Sequence, residues 1–404
     1  MSRASIAELV RDKRVLVCCG AGGVGKTTTS ASIALAASRA GQRVVVITID
    51  PSRRLAETMG IAPNAPAPVE LSPARLRALG VNPPGSLSAW ILNPQIVSDH
   101  VVHTVSDQGA DVRALLKNRV YQNVSVLIAG MQEYAAVESL HGFIVDDRYD
   151  LVVLDTPPSG NALRFLEAPS RANAFLDKRV FGLFMPSQGG AVSRLASKVI
   201  QKVLDLALGA ADRKELQQFL AMFEGVLGHL NHNQSEMRGF FQGPDVAFLL
   251  VTSPAREAVE EAFHFEQKIR ELGASSCGYI LNRSLAWAET LPYPSESLLP
   301  HDASPAARRA IQKLAEIAGF QPDLARRDVD LAAELRKRVG KEGLVCVLPR
   351  LTRDASDLEA LVELAELFQD GVSRRAKSEI PGIRPLSSPP AGSLPPSVPW
   401  FPQR

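Results

Sequence analysis

Cysteine is scarce in this chain. Only Cys18, Cys19, Cys277 and Cys346 occur in 404 residues, and no two of them stand in C-x-x-C spacing. Neither a zinc site nor a dithiol redox motif is signalled. Free, scattered thiols fit a reducing cytoplasm, and each is expected to act as a small buried hydrophobe on a strand. An excess of one charge sign is missing too. The net charge is +2, so no broad basic field points to nucleic acid, and no nucleic-acid partner is expected. No run of about 18 apolar residues is present, so no membrane-spanning helix is expected. The N-terminus lacks the basic–apolar–small order of a secretory leader. The expected location is cytoplasmic, and any membrane role is peripheral.

What is present is ordinary core material, with 46% apolar and 22% charged residues. The length suits one large α/β domain carrying an insertion. Short apolar runs alternate with helical stretches, the pattern of a mostly parallel sheet covered on both faces. The runs are Arg14–Cys19, Arg43–Ile49, Leu151–Leu154, Val246–Val251, Gly278–Leu281 and Leu344–Leu348. A helix over Lys26–Ala40 ends before Gly41, as glycine past a C-terminus does. Residues 61–150 read as a Pro-rich link up to Pro84, followed by mostly helical chain. Two amphipathic patterns lie in an excursion over 169–243. One carries Val192, Leu195, Val199, Val203 and Leu206; the other carries Leu216, Phe219, Leu220, Phe223, Val226, Leu227 and Leu230. They predict an inserted helical subdomain whose apolar surface either packs internally or takes a client or partner. Residues 1–371 are expected to form the main domain. Eight prolines between Pro381 and Pro402 mark 372–404 as an extended or disordered tail.

The strongest local signal is Gly20-Ala-Gly-Gly-Val-Gly25-Lys26-Thr27, which fits G-x-x-x-x-G-K-[ST] between a buried strand and a helix. Glycines let successive N–H groups turn toward phosphate oxygens, and the helix start adds positive dipole. Lys26 supplies a point charge to the β- and γ-phosphates. The Thr27 hydroxyl is a Mg²⁺ ligand candidate. Two aspartates end apolar strands, where open α/β sheets bind ligands. Asp155, after Leu151-Val-Val-Leu154, suits a metal-holding carboxylate, and Gly160 beyond it can offer an N–H to a γ-phosphate. Asp50, in Ile49-Asp-Pro51, either orients an attacking water or caps a strand end. The fold expected from these parts is a P-loop NTPase of class α/β.

Three segments resemble the ArsA/Get family of ATPases, within the deviant-Walker-A group. They are Gly22-Gly-Val-Gly-Lys-Thr-Thr-Thr29, Ile49-Asp-Pro51 and Asp155-Thr-Pro-Pro-Ser-Gly-Asn-Ala-Leu-Arg-Phe-Leu166. The last is similar to the family's switch II, D-T-x-P-T-G-H-T-L-R-F-L. The resemblance covers about residues 12 to 370. It implies ATP and Mg²⁺ as cofactors and the loop residues Gly20, Ala21, Gly22, Gly23, Val24, Gly25, Lys26, Thr27 and Thr28 as the phosphate cradle. It also implies Thr27 and Asp155 at the metal, and Asp50 as the water-positioning carboxylate beside Lys26. Asn282 would contact adenine, with Pro349 and Arg350 lining the base pocket. A donor–acceptor amide and a flat proline ring suit that task; a buried structural Asn is the competing reading.

The chain also departs from the pattern. Ala21 stands where the deviant loop carries a lysine that reaches across a dimer, so Arg53, Arg54, a partner subunit or slow turnover must make up for it. The zinc-clasp cysteines and the arsenite-binding cysteine set are absent, and Thr252-Ser-Pro-Ala-Arg256 lacks a common acidic residue. His100 and His103, three apart, lack a third ligand. Trp90 and Trp287 are expected to pack. Glu133 and Glu138 lie on a helix before the Asp155 strand, facing either a switch, a dimer interface or solvent.

The expected function is Mg-dependent ATP hydrolysis driving a switch in a dimer, homodimer or heterodimer with a homologous ATPase, coupled to a hydrophobic client or membrane protein. The alternative is a catalytically weak ATP-binding subunit that regulates a homologous partner. A DNA-bound polymer is the third reading, and the near-neutral charge weighs against it.

Overall fold

The computed structural model describes residues 6–49, 54–82, 84–93, 96–97, 132–157, 232–233, 235–274, 276–287, 296–318, 321–340, 343–351 and 358–370. Within them, eight strands form one sheet in the order β3-β4-β2-β5-β1-β6-β7-β8. The strands are β1 (Val15–Cys19), β2 (Arg43–Thr48), β3 (Val69–Glu70), β4 (Ser86–Ile91), β5 (Leu151–Asp155), β6 (Val246–Thr252), β7 (Ser276–Ser284) and β8 (Leu344–Pro349). All neighbouring pairs are parallel except β3 with β4. This agrees with the α/β expectation. The interior strands read as unbroken apolar runs because both of their faces are covered.

Alternate residues of each strand feed two cores. Val15, Val17, Val45 and Ile47 point to one face, where α5 (Gln132–Asp146), α6 (Arg256–Glu271) and α8 (Gln321–Val339) supply Leu140, Phe143, Phe265, Ile269 and Leu335. Leu16, Val44 and Val46 point to the other. There α1 (Ile6–Asp12), α2 (Lys26–Arg39) and α9 (Leu358–Asp370) supply Val10, Ile33, Leu35, Leu361 and Phe368. The helix α2 is covered on its outer side by α9, so little of it is left to water.

One expectation needs correction. The stretch 61–150 is not a link followed by helix alone. It contributes β3, α4 (Pro73–Ala78) and β4, with α3 (Arg54–Met59) just before it. β4 pairs in parallel with β2 along its whole length, from Arg43↔Ser86 to Thr48↔Ile91. Flanking prolines and two serines hide β4 in the sequence, yet burial between β2 and β3 stabilises it. Trp90 is a packing residue, as expected. Its indole N–H donates to Ala65 O (3.0 Å) and its ring meets Phe143 edge-on at 6.1 Å. The cysteine reading holds for the three described side chains: Cys18, Cys19 and Cys346 are buried on β1 and β8. Among the described residues no helix is long and apolar enough to cross a membrane. The amphipathic patterns of 192–206 and 216–230, the tail, and His100 and His103 lie outside the described residues.

Candidate nucleotide site

The site is built at the C-terminal ends of β1, β5, β2 and β7. β1 delivers the chain into Gly20, whose φ is +154°, and a Cβ there would lie 2.0 Å from Val251 O. Only glycine lets the turn pass so close to β6. The loop closes at Gly25, which caps α2 with φ +93° and no side-chain hydrogen bond. The first turn of α2 holds no acidic side chain. Its N–H groups and dipole are therefore left to an outside anion. Gly22 and Gly23 are exposed, Thr27 and Thr28 half-buried, and Ala21 and Val24 buried.

Lys26 is 6% exposed, and its ammonium donates to Ala21 O at 2.8 Å. A buried ammonium needs such an acceptor. The side chain thus lies folded over the loop it would charge. Asp155, fully buried, accepts at Oδ2 from the Thr27 hydroxyl (2.7 Å) and the Thr48 hydroxyl (2.9 Å). Register makes this meeting possible, because Asp155 sits beside Cys18 of β1 and Thr48 of β2. Thr156 follows, its hydroxyl donating to Cys18 O at 2.9 Å. Beneath the loop, burial pushes the Cys18 and Cys19 thiols up to about 12, so both stay neutral and inert.

Asn282 reaches the same loop from β7. Its Nδ2 donates to Val24 O at 2.8 Å, and its Oδ1 accepts from Arg283 N at 2.9 Å. Arg283 takes φ +59°, which turns the end of β7 toward β8. Arg350 N then donates to Ser284 O (3.1 Å), and Pro349 pairs with Ser284. So Asn282 meets the phosphate loop, and Pro349 and Arg350 join β7 at Ser284, two residues further on. From below, Asp328 of α8, 2% exposed, accepts from Leu285 N at 2.7 Å and from the Ser284 hydroxyl at 3.3 Å.

Sequence reasoning overlooked Thr48 and Asp328. Thr48 was signalled by a hydroxyl ending an aliphatic strand. Asp328 was signalled by an acid on the apolar stripe that holds Ala325, Ala332 and Leu335. The solvent-facing reading of Glu138 is corrected: it is 1% exposed and accepts from Asn233 Nδ2 at 2.7 Å. Trp287, expected to pack, is 43% exposed. Asp50 and Gly160 lie outside the described residues, as does the side chain of Glu133.

A metal fits this donor set. The Thr27 hydroxyl and the Asp155 carboxylate are hard oxygen donors in contact with each other, the pairing that suits Mg²⁺. The family model described as "Anion-transporting ATPase" matches residues 13–292. The chain belongs to that family, a family of ATPases. Among curated relatives, a protein named as an arsenical pump-driving ATPase from Halobacterium salinarum is 33% identical over 171 residues, 42% of this chain and 26% of that relative. An "ATPase GET3" from Malassezia globosa is 24% identical over 270 residues, 67% of this chain and 72% of the relative. Another from Mycosarcoma maydis is 29% identical over 151 residues, covering 37% and 41%. The chain thus spans about a quarter of the first relative's length. The family match includes the loop, Asp155 and Asn282 and ends before β8, which carries Pro349.

Proposed function

We propose that this chain hydrolyses ATP with Mg²⁺ and uses the cycle as a conformational switch in an ArsA/Get-like dimer. The observation that carries the reading is one buried carboxylate, Asp155, receiving both the Thr27 and Thr48 hydroxyls at the foot of a glycine-rich loop. Main-chain N–H groups from Gly20 to Thr28 surround the phosphates. The Lys26 ammonium exchanges Ala21 O for β- and γ-phosphate oxygens, which costs little because one acceptor replaces another. Thr27 and Asp155 would hold the metal, which when bound neutralises phosphate charge. Asp50 orients the attacking water, and Gly160 contacts the γ-phosphate only before hydrolysis.

Asn282 reads the base. Its bonds to Val24 O and Arg283 N use one N–H and one lone pair. One donor and one acceptor remain, which suits the mixed edge of adenine. Pro349 and Arg350 flank the base. Residues 1–371 form the ATPase domain, helices of 169–243 bind a hydrophobic client or membrane protein, and 372–404 is an extended tail. The protein works in the cytoplasm with peripheral membrane association, as a homodimer or with a homologous ATPase.

Turnover of ATP by the wild type and by Lys26→Ala tests this. Loss of one preorganised charge at the transition state is expected to lower kcat on the order of 100-fold. Equal background rates in both proteins would overturn the reading. Ala21 favours a second reading. Its methyl group, 6% exposed, carries no cation to reach another subunit. The chain is then an ATP-binding partner with slow turnover of its own. Acceleration on adding a lysine-bearing homologue supports that version; an unchanged rate counts against it.

A further inference from the structure

A trans peptide points its carbonyl and the following N–H in opposite directions. A side chain that holds one carbonyl of the phosphate loop therefore also aims the next N–H. Lys26 and Asn282 both do this. The Lys26 ammonium holds Ala21 O, and the Asn282 amide holds Val24 O, each at 2.8 Å. The two grips differ in kind. Lys26 carries a charge that an incoming phosphate attracts, so its bond is open to exchange. The Asn282 amide is neutral, and its own orientation is set by its neighbour. Oδ1 accepts from Arg283 N at 2.9 Å, which leaves Nδ2 to face the loop. Asn282 is 7% exposed and Val24 is 3% exposed, so the bond between them is sheltered from water.

The peptide held by Asn282 is one that needs holding. Gly25 has φ +93°, and glycine takes either sign of φ at little cost. On its glycine side the Val24–Gly25 peptide is therefore free to turn over, which would swing the Gly25 N–H to the opposite face. Gly25 is also where the loop gives way to α2, so its N–H stands with the helix-start amides that an anion meets. Asn282 lies flush against it, since a Cβ on Gly25 would stand 2.4 Å from Nδ2.

We infer that Asn282 is a positioning residue for phosphate binding. By holding Val24 O it fixes the Val24–Gly25 peptide with the Gly25 N–H turned toward the triphosphate, whatever base is attached. The inference deepens the nucleotide reading above and rests on it. In that reading Asn282 meets the base with the donor and acceptor it has left; its bonded N–H is the one that serves the phosphates. The two duties separate in an experiment, because a triphosphate without a base uses only the second.

Calorimetric titration of the full chain with inorganic tripolyphosphate and Mg²⁺, and in parallel with ATP and Mg²⁺, tests it. Tripolyphosphate must displace ATP, which separates loop binding from adhesion to exposed cations such as Arg309 and Lys313 on α7 (Pro305–Ala318). Asn282→Ala removes the donor; Asn282→Leu removes it and refills the volume. Both are expected to weaken tripolyphosphate binding on the order of tenfold, the worth of one hydrogen bond to a charged group. Ile269→Val, a core change near the C-terminal end of α6 and away from the loop, is expected to leave that binding within about twofold. Circular dichroism checks that each titrated variant is folded, and the leucine variant serves if the alanine one is not. Unchanged tripolyphosphate binding in both Asn282 variants, with ATP binding weakened, overturns the inference and leaves Asn282 a base reader. Recovery in Asn282→Leu overturns it in favour of packing, and equal weakening by Ile269→Val in favour of general destabilisation. A wild type that binds ATP but not tripolyphosphate overturns it as well. A wild type that binds neither removes the nucleotide reading itself, and the inference with it.

Discussion

Replacing Gly25 with alanine should destabilise the protein by more than a backbone penalty alone. Gly25 has φ +93°, and a left-handed conformation costs an alanine about 1–2 kcal/mol. The added Cβ would also stand 2.4 Å from Asn282 Nδ2. Asn282 cannot simply rotate away, because its two amide ends are held by Val24 O and Arg283 N. Displacing it leaves the buried Val24 carbonyl without that donor, a loss of about 1–3 kcal/mol. The sum for Gly25→Ala is about 2–5 kcal/mol. Asn282→Ala alone should cost about 1–3 kcal/mol through the same carbonyl. In the double variant the obstacle is gone, and the glycine change costs only its backbone part. The double variant should therefore be more stable than additivity requires by about 1–3 kcal/mol. Urea unfolding followed by tryptophan fluorescence reads this as midpoint shifts at constant slope. Additivity within about 0.5 kcal/mol would refute the reasoning, since uncoupled sites add to that tolerance.

Further outcomes follow from the same geometry. Arg43 grips Asp150 through its side chain and main-chain N–H and holds the carboxyl below its usual range. That contribution is full above the ordinary carboxylate value and is lost as pH falls through the depressed one. Asp150→Asn should therefore flatten the acid limb of stability by about 0.2–1 kcal/mol in urea titrations across pH 2–5, the modest size reflecting a pair open to solvent. Burial pushes the thiols of Cys18, Cys19 and Cys346 up to about 12. Unfolding then releases protons above the ordinary thiol value near 8.5, so stability should fall by about 1 kcal/mol per thiol per pH unit from there upward. Replacing Cys346 with alanine should remove one such increment in unfolding curves between pH 8 and 10.

The core strands were legible because a parallel sheet covered on both faces demands unbroken apolar runs, and β1, β2, β5, β6 and β8 are such runs. The phosphate loop was legible because it is contiguous: glycines, lysine and threonine stand where strand gives way to helix. β3 and β4 were not, because two residues make no pattern and prolines surround the rest. Asn282 could be picked out by resemblance to the family. Its grip on Val24 O, 258 residues away, could not, because only the order of β1, β6 and β7 in the sheet brings them together. Asp328 was hidden for a similar reason. An acid on an apolar helix stripe looks like an exception until the N–H of Leu285 is seen to face it.

These late-found contacts share one mechanical role. The end of β7 carries Asn282 toward the loop, and Arg283 turns there in a left-handed conformation that costs a non-glycine residue about 1–3 kcal/mol. Three bonds surround that turn: Asn282 to Arg283, Asp328 to Leu285, and Arg350 to Ser284. At about 1 kcal/mol each, with the bond to the buried carboxylate worth more, they outweigh the cost. Backbone strain is thus held one residue past Asn282, which meets the phosphate loop. A change that loosens α8 at Asp328 removes one of the three bonds that hold this turn, the one to Leu285 N.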